Sequence, residues 1–191
     1  MRVVGIDYSM TCPAITIING DTPFTFSNCQ CFYRSSKLPN STLPNVFGSR
    51  LIEFESNEQR FDDIASWAMD CIAVDAQTVV FIEGYSMSSK GLVFNIAENT
   101  AILKHKLWKA GVPIQAIPPT VIKKFAFGKG NATKDQMHDI FVKETGTNLL
   151  TIYQPKAGSV GSPTGDLVDS YYICKYGCYE GVIQRLNTAK G

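Results

Sequence analysis

A chain of 191 residues can bury one sizeable core, and its 45% apolar and 18% charged residues are an ordinary globular balance that excludes a disordered chain. With 18 Lys and Arg against 17 Asp and Glu, net charge alone does not announce nucleic-acid binding, so any such activity would have to come from basic residues gathered on one face. No apolar run approaches the roughly 18 residues that span a bilayer, and the N-terminus reads into a strand without a signal-peptide pattern. The expectation is one domain over residues 1–191, intracellular, cytoplasmic, and without membrane association.

Residues 2–7 read as a strand ending in Asp7, and residues 13–19 as a second strand closed by the turn signal Asn19, Gly20, Asp21. Residues 24–33, rich in Phe, Thr and Tyr, suggest a third, so the chain opens as an antiparallel meander. From 35 to 57 the composition turns to Ser, Pro and Asn, which reads as a long loop with a short helical piece near 46–54. Phe61, Ile64, Ala65, Ala68, Met69 and Ile72 recur at helical spacing. Residues 78–83 are a continuous apolar run ending in Glu83, as expected of a buried parallel strand after a helical crossover.

A long helix is expected over 88–110, with Leu92, Val93, Ile96, Ala97, Thr100, Ala101, Leu103 and Leu107 on its apolar stripe and Gly111 as its stop. A strand over 112–117 follows, then a short helix over 120–125 and a basic glycine loop at 128–132. Thr133 and Gln136 fit a capping box that opens a helix to about 144. Residues 146–165 read as a second long loop, and 166–179 as a final helix. The order describes an α/β fold, a mixed five-stranded sheet with three antiparallel and two parallel strands, flanked by helices.

The six cysteines have no Cys-x-x-Cys pair, and His105 and His138 are the only histidines, so buried free thiols are expected instead of zinc or disulfides. His138 is expected on the surface, and Tyr171, Tyr172, Tyr176 and Tyr179 are expected to belong to the core.

The chemistry lies in the acids. Asp7 and Glu83 both end apolar strands, at the sheet edge where sites collect in open α/β folds. Asp166 and Asp169, three apart, project from one face at the start of a helix. Four carboxylates and no histidine suit Mg²⁺, with Mn²⁺ able to substitute. Two such ions about 4 Å apart would activate a water and stabilise a leaving oxygen in phosphodiester hydrolysis. Taken singly, Asp166 is equally a helix N-cap, Asp169 a solvated first-turn acid and Glu83 a plain strand end.

The segments around Asp7 (Gly-Ile-Asp-Tyr-Ser), Glu83 (Phe-Ile-Glu-Gly-Tyr-Ser-Met) and Asp166 with Asp169 (Gly-Asp-Leu-Val-Asp-Ser-Tyr) resemble the acidic motifs of the RuvC family of Holliday junction resolvases. The segment from Pro119 through Lys123 and the one from Gly128 through Lys134 resemble that family's basic region, and the likeness covers about residues 2–180. It implies a ribonuclease H-like fold and homodimeric, Mg²⁺-dependent resolution of branched DNA by paired nicks. It implies metal binding by Asp7, Glu83, Asp166 and Asp169, with Lys123 and Lys134 at the scissile phosphate. Tyr8 and Ser9 depart from the Pro-Gly usual after the first acid, and the two long loops depart as well.

Lys90, Lys104 and Lys106 lie on the long helix, and Lys123, Lys124, Lys129 and Lys134 crowd one short stretch. Backbone amides of Gly128, Gly130 and Asn131 are candidates to receive a phosphate. Tyr85 and Met87 would either wedge between or stack on bases, or pack under the long helix. Three rival readings remain: a nuclease acting on flaps, forks or RNA–DNA hybrids, a non-catalytic branched-DNA binder, and a phosphotransferase that also opens with Gly-Ile-Asp.

Overall fold

A computed structural model describes residues 1–39, 43–85, 93–153 and 160–181. Its centre is a mixed sheet of six strands: β1 (Arg2–Asp7), β2 (Ala14–Asn19), β3 (Gln30–Ser35), β4 (Val46–Arg50), β5 (Thr78–Glu83) and β6 (Ile114–Ile117). The strand order is β4-β3-β2-β1-β5-β6. β1 and β2, and then β2 and β3, pair antiparallel, whereas β3–β4, β1–β5 and β5–β6 are parallel. The C-terminal ends of β1, β3, β4, β5 and β6 therefore open on one edge.

The sheet has one strand more than expected, and the extra strand lies where a loop with a helical piece was expected. β4 escapes a pattern search because only Val46 is buried while Phe47 and Gly48 face solvent, so no alternation marks it. It is held to β3 by stacking of Phe47 on Phe32, with ring centroids 5.1 Å apart. Gly48 is needed there: a Cβ would lie 2.5 Å from the Tyr33 hydroxyl. The third strand also starts later than expected, because Phe26–Asn28 form a 3-10 turn. Asn45 Nδ2 donates to the carbonyls of Phe26 and Cys29 at that turn, at 2.6 and 3.1 Å.

Helix α1 (Asn57–Ile72) is capped by Ser56, whose Oγ accepts from the Gln59 amide at 3.3 Å. It buries Phe61, Ile64, Ala65, Ala68 and Ile72, the stripe read from the sequence. Helix α2 (Val93–Lys109) packs beside α1 and buries Asn99, Thr100, Leu103 and Leu107. Val93 and Ala101, expected on that stripe, are exposed instead. The expected start of α2 lies outside the described residues, as do Met87 and Lys90. Helix α3 (Pro119–Phe127) runs slightly longer than expected, and α4 (Lys134–Thr145) opens on the expected capping box of Thr133 and Gln136. Within the second long loop Leu149–Thr151 form a single 3-10 turn.

Helix α5 (Thr164–Tyr176) crosses the other face of the sheet. Nearly all its side chains are buried, which is why its sequence shows no clear amphipathic stripe. It seats directly on β1: a Cβ on Gly5 would lie 2.5 Å from the Ser170 carbonyl oxygen and closer still to the Cys174 amide nitrogen. The hydroxyls of Thr16 and Ser170 bond at 2.9 Å, and the Cys174 thiol donates to the Val3 carbonyl at 3.5 Å. Tyr171, Tyr172 and Tyr176 are core residues as expected, while Tyr179 is exposed.

All six cysteines are free, four of them buried, in line with the reading of the sequence. His138 corrects it. The residue is 3% exposed and belongs, with Met137 and Phe141, to the buried residues of α4. Burial holds its imidazole below the usual range, against the pull of Asp139 and Asp135.

Candidate active site

The register of β1 against β5 pairs Ile6 with Ile82, so Asp7 and Glu83 are the next residues along two adjacent parallel strands. The seat of α5 on Gly5 then sets the N-terminal part of that helix, with Asp166 in its first turn and Asp169 three residues on, beside them. The capping box of α4 presents Lys134 as that helix's first residue. Bare Gly165 gives it room: a Cβ there would stand 3.2 Å from Lys134 Nζ. Lys123 arrives from α3, immediately after β6.

Electrostatics show that these groups share one field. Burial raises the Asp7 carboxyl well above the usual carboxylate range, Glu83, Asp166 and Asp169 raise it further, and Lys134 opposes them. Asp169 is pushed up to about 7 by burial and then by Glu83 and Asp166, with Lys134 and Lys123 acting against. Glu83 is raised by burial and Asp166 despite both lysines. For Lys134 partial burial works against the charge, but the four acids outweigh it and raise its pKa.

Asp7 is 8% exposed and Asp166 5%, and Asp166 Oδ2 is buried without a hydrogen-bond partner. Among the described residues, no three acidic, histidine or cysteine side chains converge closely enough as they stand to hold an ion. The four acids are in electrostatic contact and not in a closed cage.

The other sequence candidates are spread more widely. Tyr85 is 47% exposed, with Lys104 Nζ 5.0 Å from its ring centre, so it is not packed away. Lys124, Lys129 and Asn131 are exposed on α3 and the turn that follows. The Gly128 amide is not free for a phosphate, since it donates to the Lys124 carbonyl at 2.9 Å and closes α3. Ser9 belongs to turn chemistry, its Oγ accepting from the Cys12 amide at 2.9 Å.

Two residues that sequence reasoning missed lie against this edge. The Cys12 thiol is buried, and after burial itself Asp166 and then Asp7 are what raise its pKa, which puts it among the acids. Its position five residues after Asp7 was the available signal. Arg60 of α1 donates from Nη2 to the Met10 carbonyl at 2.5 Å and so ties down the segment after Asp7. Nothing local in the sequence announced that contact.

No protein-family model matches the sequence, and no curated protein matches it. Solved structures do. Thermus thermophilus RuvC in complex with Holliday junction substrate is similar over 95% of this chain and 96% of that chain, with TM-score 0.60 and 17% identity. A second Thermus thermophilus RuvC structure gives TM-score 0.56 at 17% identity, over 95% and 97% of the two chains. Fowlpox virus resolvase, in a complex with substrate Holliday junction DNA, gives TM-score 0.50 at 16% identity, over 96% and 99%. The fold implied by the acidic motifs is the fold observed: a ribonuclease H-like sheet and helices, arranged as in RuvC and other Holliday junction resolvases.

Proposed function

We propose that this protein is a metal-dependent, structure-selective DNA endonuclease that resolves Holliday junctions by paired nicks. One observation carries the reading: three separate elements, β1, β5 and α5, bring four carboxylates to one sheet edge, with Lys134 set among them. Structural likeness to resolvases solved with junction DNA supports the choice of substrate.

The residues fit divalent cations. The donors are all carboxylate oxygens, the set that suits Mg²⁺ or Mn²⁺, and Asp166 Oδ2 is a buried acceptor with nothing bonded to it. Four acids against two lysines leave a surplus of negative charge that a cation would relieve. Asp7, Glu83, Asp166 and Asp169 would hold two ions, which when bound supply water activation and charge stabilisation on the phosphate. Lys134, already kept protonated by the acids, supplies a fixed positive charge for the phosphate oxygens, and Lys123 a second beside Glu83. The nicks would leave 5′-phosphate and 3′-hydroxyl ends.

A homodimer would bring two such sites to one junction. The face of α2 turned from the core supports it. Phe94 is 80% exposed and Trp108 71%; with Ala101 they stand seven residues apart on one side of the helix, and Ile102 is exposed beside them. Among the described residues no helix is long and apolar enough to cross a membrane.

The test is digestion of a labelled four-way junction with and without Mg²⁺. Symmetrically paired nicks that Glu83→Gln abolishes are expected. Equal cutting of flaps or RNA–DNA hybrids would overturn the junction assignment, and cleavage untouched by Glu83→Gln would overturn the site.

A further inference from the structure

On the β3–β4 side of the acids lies a groove of roughly 910 Å³ that the proposed reaction does not use. It is built largely by the chain as it leaves β4. Arg50, Ile52 and Phe54 line it together with Thr11 from the segment after β1 and Arg60 of α1. Because β3 and β4 run in the direction of β1, the groove opens on the same edge as Asp7.

Its chemistry is unusual for plain surface. Ile52 is 47% exposed and Phe54 39%, side by side with exposed Arg50, which makes no ion pair among the described residues. Glu53 is the one acid lining it. The Arg60 guanidinium sits 4.5 Å from the Phe54 ring centre, a cation–π contact that steadies the ring while Phe54 stays 39% exposed. The same guanidinium holds the Met10 carbonyl, three residues from Asp7. An aromatic platform, a free arginine and a link to the catalytic segment are thus joined in one place.

We infer that this groove holds an unpaired stretch of the DNA strand beside the scissile phosphate, with Phe54 and Ile52 against base faces and Arg50 on the backbone. The inference rests on the nuclease reading above. A phosphate chain matches the charge of Arg50 and Arg60. The apolar pair favours an unpaired strand over a duplex, since a duplex hides its base faces from a protein surface. Occupancy of the groove would bear on Asp7 through the Arg60–Met10 contact.

Fluorescence anisotropy in an Asp7→Asn background tests this, with a short oligothymidine and a duplex of the same length at several salt concentrations. Phe54→Ala is expected to weaken oligothymidine binding roughly tenfold with little effect on the duplex, and Phe54→Trp to restore it. Arg50→Ala should lower the salt slope for the single strand by about 0.7. Both residues are exposed, so the variants keep the fold. Equal losses on strand and duplex, or no loss on either, would overturn the groove assignment while wild-type protein still nicks junctions. Failure of the parent protein to bind any DNA would overturn the nuclease reading with it.

Discussion

Asp169 is the residue at which charge and stability conflict most openly. Its folded pKa of about 7 stands above its ordinary value of 3.8, so between those values the folded chain holds a proton that the unfolded chain releases. A raised carboxyl favours the fold at low pH, and its penalty grows as pH climbs from about 4 through 7. Asp7 and Glu83 are shifted in the same direction. Metal-free protein should therefore lose stability across that window, by an amount on the order of a few kcal/mol. Thermal melts in EDTA from pH 5 to 8 check this, and Asp169→Asn should flatten the profile and raise Tm at pH 8. A Tm that rises with pH would contradict it. Lys134→Ala should reduce cleavage roughly 100- to 1,000-fold, in the range of losing one charge-stabilising donor, with junction binding much less affected. The four acids stood out in the sequence as candidates because Asp7 and Glu83 close apolar strands and Asp166 and Asp169 stand three apart near the start of a helix, positions where carboxylates need a reason. Cys12 and Arg60 were not, because their significance depends on Asp166 and Met10, which only folding brings near.

Among the elements, the contact of α5 with β1 has the least tolerance. At Gly5 any side chain meets the backbone of α5, which cannot rotate aside, so Gly5→Ala must push the helix off the strand. The expected cost is at or above the roughly 1–3 kcal/mol of ordinary overpacking, read as a lowered urea midpoint with loss of nicking. Gly48→Ala makes a useful contrast. Its Cβ would meet the far end of the Tyr33 side chain, which can yield, so a smaller loss and retained activity are expected. The same distinction explains which elements could be read in advance. Core strands and capped helices carry their own signals, as β1, β5, α1 and α4 did. An edge strand such as β4, defined by Phe47 stacking and a bare Gly48 under Tyr33, takes its reason from a neighbour and leaves almost no pattern of its own.

For the whole molecule, the exposed stripe on α2 bears on assembly. Phe94 and Trp108 present more apolar surface than a helix facing only water would keep, and a symmetric pairing of this face would cover it. Light scattering should give twice the chain mass for the unaltered protein and a single-chain mass for Trp108→Glu. The variant should still cut, but in uncoordinated single nicks. Wild-type protein of single-chain mass that nevertheless makes paired nicks would rule the dimer out. The apolar character of this helix was plain in the sequence, but which side faced the core was not, since Val93 and Ala101 fit the buried stripe by spacing and lie exposed.

The seat of α5 on Gly5 also sets an order in time. β1 carries Asp7, while Asp166 and Asp169 come more than 150 residues later on the helix that docks against it. A nascent chain that stops short of α5 has two of the four proposed metal ligands and an uncovered sheet face, so on the proposed mechanism it should not cut DNA. The proposed metal site would therefore be complete only once the late helix has closed onto the first strand, which would tie any cutting activity to the finished fold.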